Sequence, residues 1–185
     1  MRQYSALASE RLLFPHTREL AASDASVGKA LLARPTQLPP PTRPSLTLTP
    51  IASPDDWQLY EQRRIEVEDG FGVPPQQARA MVAALRERTA VLELSMFFGR
   101  TTKDDVVAAI GYFGRGRWVR LQEVDVFPAW RGRGYGDGLL SATLQHLTDT
   151  TDAEVVILGA DEDDWPLEWY RRRGFADVAR VALTR

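Results

Sequence analysis

Cysteine is absent from this 185-residue chain. That absence removes disulfides, thiolate nucleophiles, thiolate-bound zinc and iron–sulfur clusters together. Imidazole comes only from His16 and His146, a poor basis for a histidine-rich metal site or a His-centred triad. No apolar run approaches the roughly 20 residues of a membrane span. The opening segment MRQYSALASERLLFPHTREL is interrupted by Glu10, Arg11, Arg18 and Glu19, so it reads poorly as a signal peptide. A cytoplasmic protein without a membrane partner is the expectation. Neither sign of charge dominates. A net charge of -2 exerts no global pull on nucleic acid, so any basic site has to be local.

What is present is ordinary for a globular chain: 44% hydrophobic and 26% charged residues, in a length that suits one domain or one domain with an appendage. The clearest break is ARPTQLPPPTRPSLTLTP, where Pro35, Pro39, Pro40, Pro41 and Pro44 remove donors, fix φ and predict an extended, non-helical linker. Upstream, Ser5–Phe14 and Ala25–Arg34 have helical character but are short, and short helices are marginal alone. Residues 1–44 therefore read as a helical extension and Pro-rich linker that docks on the main domain or on a second copy, as the arm of a homodimer.

From Ser45 the elements alternate. SLTLTPI has a strand's period of two. Ser53 suits an N-cap, Pro54 the first helical position, and Asp55 and Asp56 the positive end of the helix dipole. A second helix follows over PPQQARAMVAALRER. VLELSMFFGR and VVAAIGYFGR flank the polar turn TTKDD and predict a hairpin. WVRLQEVDVF is a third strand of this block. A helix from about Gly136 to Leu147, the buried-looking strand AEVVILGA, a helix over roughly Asp164–Arg173 and a closing strand ADVARVALTR complete the order β–α–α–β–β–β–α–β–α–β.

FPAWRGRGYGDGLL sits where a strand hands over to a helix. The first amides of a helix lack intrahelical acceptors and carry partial positive charge, so they attract phosphate. Glycines let backbone approach a ligand closely, and Arg131 and Arg133 add charge at the rim. No Gly-Lys-Ser/Thr follows and the spacing is not G-x-G-x-x-G, so neither nucleotide loop is matched. An arginine–glycine RNA tract is usually long, repetitive and disordered, unlike this short stretch between core elements.

Arg131-Gly132-Arg133-Gly134-Tyr135-Gly136, directly after Val126-Phe127-Pro128, resembles the acyl-CoA pyrophosphate loop of the GCN5-related N-acetyltransferase (GNAT) superfamily. Its pattern is Arg/Gln-x-x-Gly-x-Gly/Ala after a strand ending Val-x-Pro. Tyr170-Arg171-Arg172-Arg173-Gly174-Phe175 resembles the superfamily's Tyr-x-x-x-Gly-Phe. The resemblance covers about residues 45–185 and does not explain the extension. It implies an α+β fold, with a central twisted, mostly antiparallel mixed sheet flanked by helices. It also implies an acyl-CoA-dependent N-acyltransferase that uses acetyl-CoA, or another acyl-CoA, as co-substrate without a metal. The acceptor would be a small-molecule or peptide amine. A GNAT-fold module that holds CoA without catalysis is the alternative.

By the same resemblance, Arg131, Gly132, Arg133, Gly134, Tyr135 and Gly136 hold the pyrophosphate, and a backbone N–H near Val124–Val126, with Val126 favoured, polarises the thioester. Tyr170 protonates the departing thiolate, a role that a phenol with pKa near ~10 can fill. Glu123 and Asp125 lie two apart and share a strand face, opposite Val124 and Val126. Either could take the amine's proton through a water or bind a cationic acceptor, and both could equally be solvated strand residues. Glu66, Glu68 and Asp69, at the end of a helix, are secondary candidates on the acceptor side or simply a solvated helix end. Asp161-Glu162-Asp163-Asp164 stands near where the superfamily often has a pantetheine-binding asparagine. Here the tract suits a helix N-cap at Asp163 or Asp164.

Overall fold

The computed structural model describes residues 2–37 and 44–182. The expected linker prolines Pro39, Pro40 and Pro41, and the last three residues of the expected closing strand, lie outside the described residues. Seven strands form one mixed sheet in the order β2-β3-β4-β5-β6-β1-β7. In chain order these are β1 (Gly28–Pro35), β2 (Thr47–Pro50), β3 (Ser95–Arg100), β4 (Val106–Arg115), β5 (Trp118–Val126), β6 (Val155–Asp161) and β7 (Ala176–Ala182). The helices are α1 (Arg2–Leu13), α2 (Pro54–Asp69), α3 (Pro75–Leu92), α4 (Tyr135–Thr150) and α5 (Pro166–Arg171). The β5–β6 pair is parallel and the β1–β6, β1–β7, β2–β3 and β3–β4 pairs are antiparallel. Among the described residues no helix is long and apolar enough to cross a membrane.

The chain falls into two compact units: one of residues 1–39, 114–120 and 151–185, the other of residues 40–113 and 121–150. In the first, the expected helix over Ala25–Arg34 is instead strand β1. Its Ala- and Leu-rich stretch favours a helix locally, but both of its faces are covered and both of its edges are paired. It bonds β6 from Lys29–Asp161 to Pro35–Val155 and β7 from Gly28–Ala182 to Ala33–Ala176. A run buried on both faces lacks the alternation that marks a half-exposed strand, and such runs are ambiguous from periodicity alone. The extension thus supplies a strand to its own chain. Leu31, Ala33, Val155, Ile157 and Val181 form a core with Ala6 of α1. The Asp161–Asp164 tract is spent on the same unit. Glu162 accepts the Gly28 amide and an Arg180 N–H, each at 2.8 Å. Asp164 accepts the Trp165 amide at 2.8 Å, but α5 begins after Trp165 with no side-chain cap, so the expected N-cap at Asp163 or Asp164 is not formed.

In the second unit, α2 starts as its sequence dictates. The Ser53 hydroxyl accepts the Asp56 amide at 3.1 Å, the Asp56 carboxylate accepts the Ser53 amide at 2.9 Å, and Pro54 opens the helix. Trp57 and Tyr60 are buried on α2, and Ala78, Val82 and Leu85 on α3. Helix α3 runs on through Val91 and Leu92, which the pattern assigns to the next strand. It stops at Glu93, whose left-handed φ of 53° and N–H bond to the Thr89 carbonyl close the last turn. Strand β3 then starts at Ser95. Helix α4 lies close to the chain before β2: a Cβ on Gly138 would stand 2.0 Å from the Pro44 carbonyl oxygen. That close approach calls for glycine at 138.

Candidate active site

The loop from β5 to α4 carries an element the sequence does not announce, a 3-10 turn over Pro128–Trp130. After it, Gly132 and Gly134 have φ of 72° and 80°, a region that side chains with a Cβ resist. A Cβ on Gly132 would meet no atom within 4 Å, so the backbone torsion, not crowding, calls for glycine there. The Gly134 carbonyl accepts the Asp137 and Gly138 amides at 3.0 and 3.2 Å, which makes Gly134 the first acceptor of α4. Tyr135 and Gly136 are then first-turn residues of a 16-residue helix, with the outward amides and positive dipole end that suit a phosphate. The arginines divide the work. Arg131 Nε donates to the Val126 carbonyl at 3.0 Å and ties the loop to the end of β5. The Arg133 guanidinium stacks on Trp130, 5.4 Å from the ring centroid, and Trp130 meets Tyr135 edge-on. Arg131 is thus first a brace of the loop.

Strand β5 is irregular at Glu123, whose φ is 50°. A non-glycine residue in the left-handed region within a strand is a strained position of the kind concentrated at functional sites. Glu123 and Asp125 both turn toward Arg64 of α2. Arg64 contacts Asp125 closely, Glu68 at 2.6 Å and Glu123 at 3.4 Å. The Tyr60 hydroxyl donates to Glu123 at 3.5 Å, a long bond. Burial pushes the Glu123 carboxyl upward; Arg64 pulls it down, Asp125 pushes it up, and it ends above its ordinary value. Burial, Glu123 and Asp125 together hold the Tyr60 phenol well above its usual range. Burial works against the Arg64 charge, but Asp125 and Glu123 outweigh it and hold the guanidinium firmly protonated. Val124 and Val126 are half-buried on the same strand.

Tyr170 belongs to the other unit and is explained there by helix-ending chemistry. Gly174, at φ 83°, donates to the Arg171 carbonyl at 3.1 Å, and the Phe175 amide donates to the Tyr170 carbonyl at 3.3 Å. Those two bonds are a Schellman stop, and the apolar contact that usually accompanies it is the Tyr170–Phe175 pair, edge-on at 5.5 Å. Trp169 also meets the Tyr170 ring edge-on, at 4.9 Å. Tyr-x-x-x-Gly-Phe therefore has a folding role, whatever the phenol does.

A family model described as the acetyltransferase (GNAT) family matches residues 58–175, which contain both the loop and the tyrosine motif. The chain belongs to the GNAT acetyltransferase family. Solved structures share the fold of this GNAT protein at low identity. A conserved protein of unknown function from Staphylococcus epidermidis ATCC 12228 has a TM-score of 0.66 at 13% identity, covering 95% of this chain and 64% of that one. A GCN5-related N-acetyltransferase from Kribbella flavida has a TM-score of 0.52 at 18% identity, covering 94% and 61%. An acetyltransferase from Clostridium acetobutylicum, solved with acetyl-CoA, has a TM-score of 0.51 at 16% identity, covering 71% and 90%. The chain thus spans less than two thirds of the first two neighbours. No curated protein matches it.

Within this GNAT unit the cluster is richer than the two carboxylates expected on β5. Arg64 and Tyr60 of α2 escape sequence reading because nothing local pairs a helix residue with a strand some 60 positions later. Their one hint is the Tyr60–Arg64–Glu68 spacing of four, which puts the three on one helix face. Of the secondary candidates, Glu68 joins the cluster. Glu66 instead pairs with Arg63 at 2.9 Å, and Asp69 ends α2 without joining the cluster. A pocket of about 80 Å³ opens beside the cluster, lined by Tyr60, Arg64, Met81, Val82, Leu85, Arg88 and Glu123.

Proposed function

We propose that this GNAT protein is an N-acetyltransferase that moves the acetyl group of acetyl-CoA to an amine by direct attack. The observation that carries this reading is the loop: two left-handed glycines place the free amides of α4 at the end of β5, a cradle that suits the pyrophosphate of CoA. The Clostridium acetobutylicum neighbour, solved with acetyl-CoA, supports the choice of donor.

In this reading the backbone amides of residues 132–136 bind the pyrophosphate, Arg131 keeps the loop on the strand, and Arg133 adds charge. A β5 amide, that of Val126 or Val124, polarises the thioester carbonyl. Glu123, raised by burial and left half-open, takes a proton from the acceptor ammonium directly or through a water, leaving a neutral amine. The nitrogen bonds to the acetyl carbon as the carbon–sulfur bond breaks. Glu123 passes its first proton to solvent, the second nitrogen proton leaves to solvent directly or through the freed Glu123, and Tyr170 protonates the thiolate. Asp125 holds Arg64 in place, and Arg64 holds Glu123, so Asp125 is a positioning residue rather than the base. The chemistry needs neither a thiol nor a metal from the protein.

Isothermal titration with acetyl-CoA tests the reading directly: saturable binding at micromolar concentration is expected, and no binding at high micromolar concentration sinks it. A second reading, a CoA-holding module without catalysis, draws on one observation. Both β5 carboxylates already have an arginine partner. Binding of acetyl-CoA with no CoA thiol released across amines, amino acids, peptides and aminoglycosides would favour that reading.

A further inference from the structure

The pocket beside Glu123 presents three kinds of wall. Met81, Val82 and Leu85 of α3 make one side apolar, and Glu123 and Tyr60 supply an acid and a phenol. The third wall is cationic, and its two arginines differ. Arg64 is surrounded by Asp125, Glu68 and Glu123, so its charge is spent. Arg88, one turn beyond Leu85 on the same helix, is half-buried, and its Nε reaches only the Ala84 carbonyl at 3.4 Å. Among the described residues no carboxylate forms an ion pair with it. The Arg88 charge acts on Glu123 without a direct contact. A guanidinium that lines a pocket outside any ion pair can receive an anionic group, because its planar fork matches a carboxylate.

The carboxylates near the site suggest a polycationic acceptor only while they are counted as free. With Glu68 and Asp125 paired to Arg64, Glu123 is the only carboxylate among the described residues that line the pocket, and the Arg88 charge faces it there. We propose that the acceptor is an amino-carboxylate with an apolar arm, an amino acid or short peptide of that character, whose amine meets Glu123 and whose carboxylate meets Arg88. The proposal rests on the transferase reading above for the fate of the amine, but not for the binding. The volume, room for roughly five to eight waters, suits the charged head and first carbons of such a ligand, with the remainder toward the exposed Met81.

The test uses L-leucine and L-methionine as probes, each against its own amide, which keeps the amine and side chain and removes the negative charge. Binding is measured by calorimetry without donor, and transfer by CoA thiol release with acetyl-CoA. The free acids should bind and react better than the amides by about tenfold in affinity and kcat/KM. Arg88→Gln should bring that ratio near one through KM, and Arg88→Lys should keep part of it. Equal or better use of the amides by the unaltered protein overturns the proposal, as does a preference that survives Arg88→Gln. If acetyl-CoA binds but neither free acid does, the proposal falls and the transferase reading stands. If the free acids bind with the expected preference but acetyl-CoA does not, the transferase reading falls and the pocket assignment stands.

Discussion

Each compact unit contains an arginine bound to carboxylate, and the two clusters differ in their access to water. Arg120 of β5 is 2% exposed and binds Glu10 of α1, itself 1% exposed, with Lys29 at 3.2 Å on the other carboxylate oxygen and the Ser9 hydroxyl accepting a further Arg120 N–H at 3.2 Å. Arg64 holds three carboxylates but is 16% exposed, and its partners Glu123 and Asp125 are 22% and 17% exposed. The first cluster is sealed, and its task is to fasten the N-terminal helix. The second borders a pocket, and one of its carboxylates, Glu123, is a loose partner at 3.4 Å. Similar ion pairs are therefore sealed from water in one unit and reachable from a pocket in the other.

Breaking the sealed cluster should have the largest effect on the fold. Arg120→Ala leaves Glu10 with only Lys29, and Glu10→Ala leaves a buried guanidinium unpaired, so each should cost about 3–5 kcal/mol of stability in urea denaturation. Replacing Glu10 and Arg120 together by Leu and Met should recover much of that loss; a double variant as unstable as the sum of the singles would show that the cluster does more than fill space.

Glu123→Gln should do the reverse, lowering kcat/KM by about 10²-fold or more while leaving denaturation midpoints unchanged or slightly raised. A fall in stability with activity intact would place Glu123 with Glu10 as an architectural acid. In the other unit, Tyr170→Phe keeps the Schellman contact with Phe175 and removes only the hydroxyl. Turnover should fall by roughly 10²-fold with acetyl-CoA affinity held, and unchanged turnover would remove Tyr170 from the chemistry.

Glu123 also sets a pH dependence, in the company of Arg64, Asp125, Tyr60 and Arg88. Its carboxyl lies above the ordinary value in the fold, so the native state binds its proton more tightly than the unfolded chain does. Its contribution to stability is fully present below the unfolded pKa and is lost as pH rises through the folded one. In the proposed reaction activity runs the other way, because Glu123 as base works only once deprotonated. The acid limb of kcat/KM should sit above the ordinary Glu range and vanish in Glu123→Gln. The smallest effect expected is at the loop: Gly134→Ala should weaken acetyl-CoA binding by roughly tenfold, from about 1–2 kcal/mol of left-handed strain.

Much of the fold and part of the site were legible in the residues themselves. Ser53, Pro54 and Asp56 announce the start of α2 because capping is settled within four residues. The glycines at 132 and 134 are legible for the same reason, since a positive φ is a local demand. Arg88 was not legible: whether a helix arginine is paired depends on which carboxylates the fold brings near it. Glu66 and Glu68 make the same point, two positions apart on α2 with different partners.

The sequence by itself determined the loop, the two motifs and hence the family, because each is a short-range arrangement whose φ angles and caps depend on adjacent residues. Tertiary structure decided two things that no window of neighbours contains. It turned the helix-favouring Lys29–Arg34 stretch into a strand, because pairing on both edges and burial on both faces outweigh a propensity of a few tenths of a kcal/mol per residue. It also brought Arg64 to Glu123 and Asp125, converting two strand carboxylates into one engaged anchor and one candidate base, through a contact that spans some 60 residues of chain.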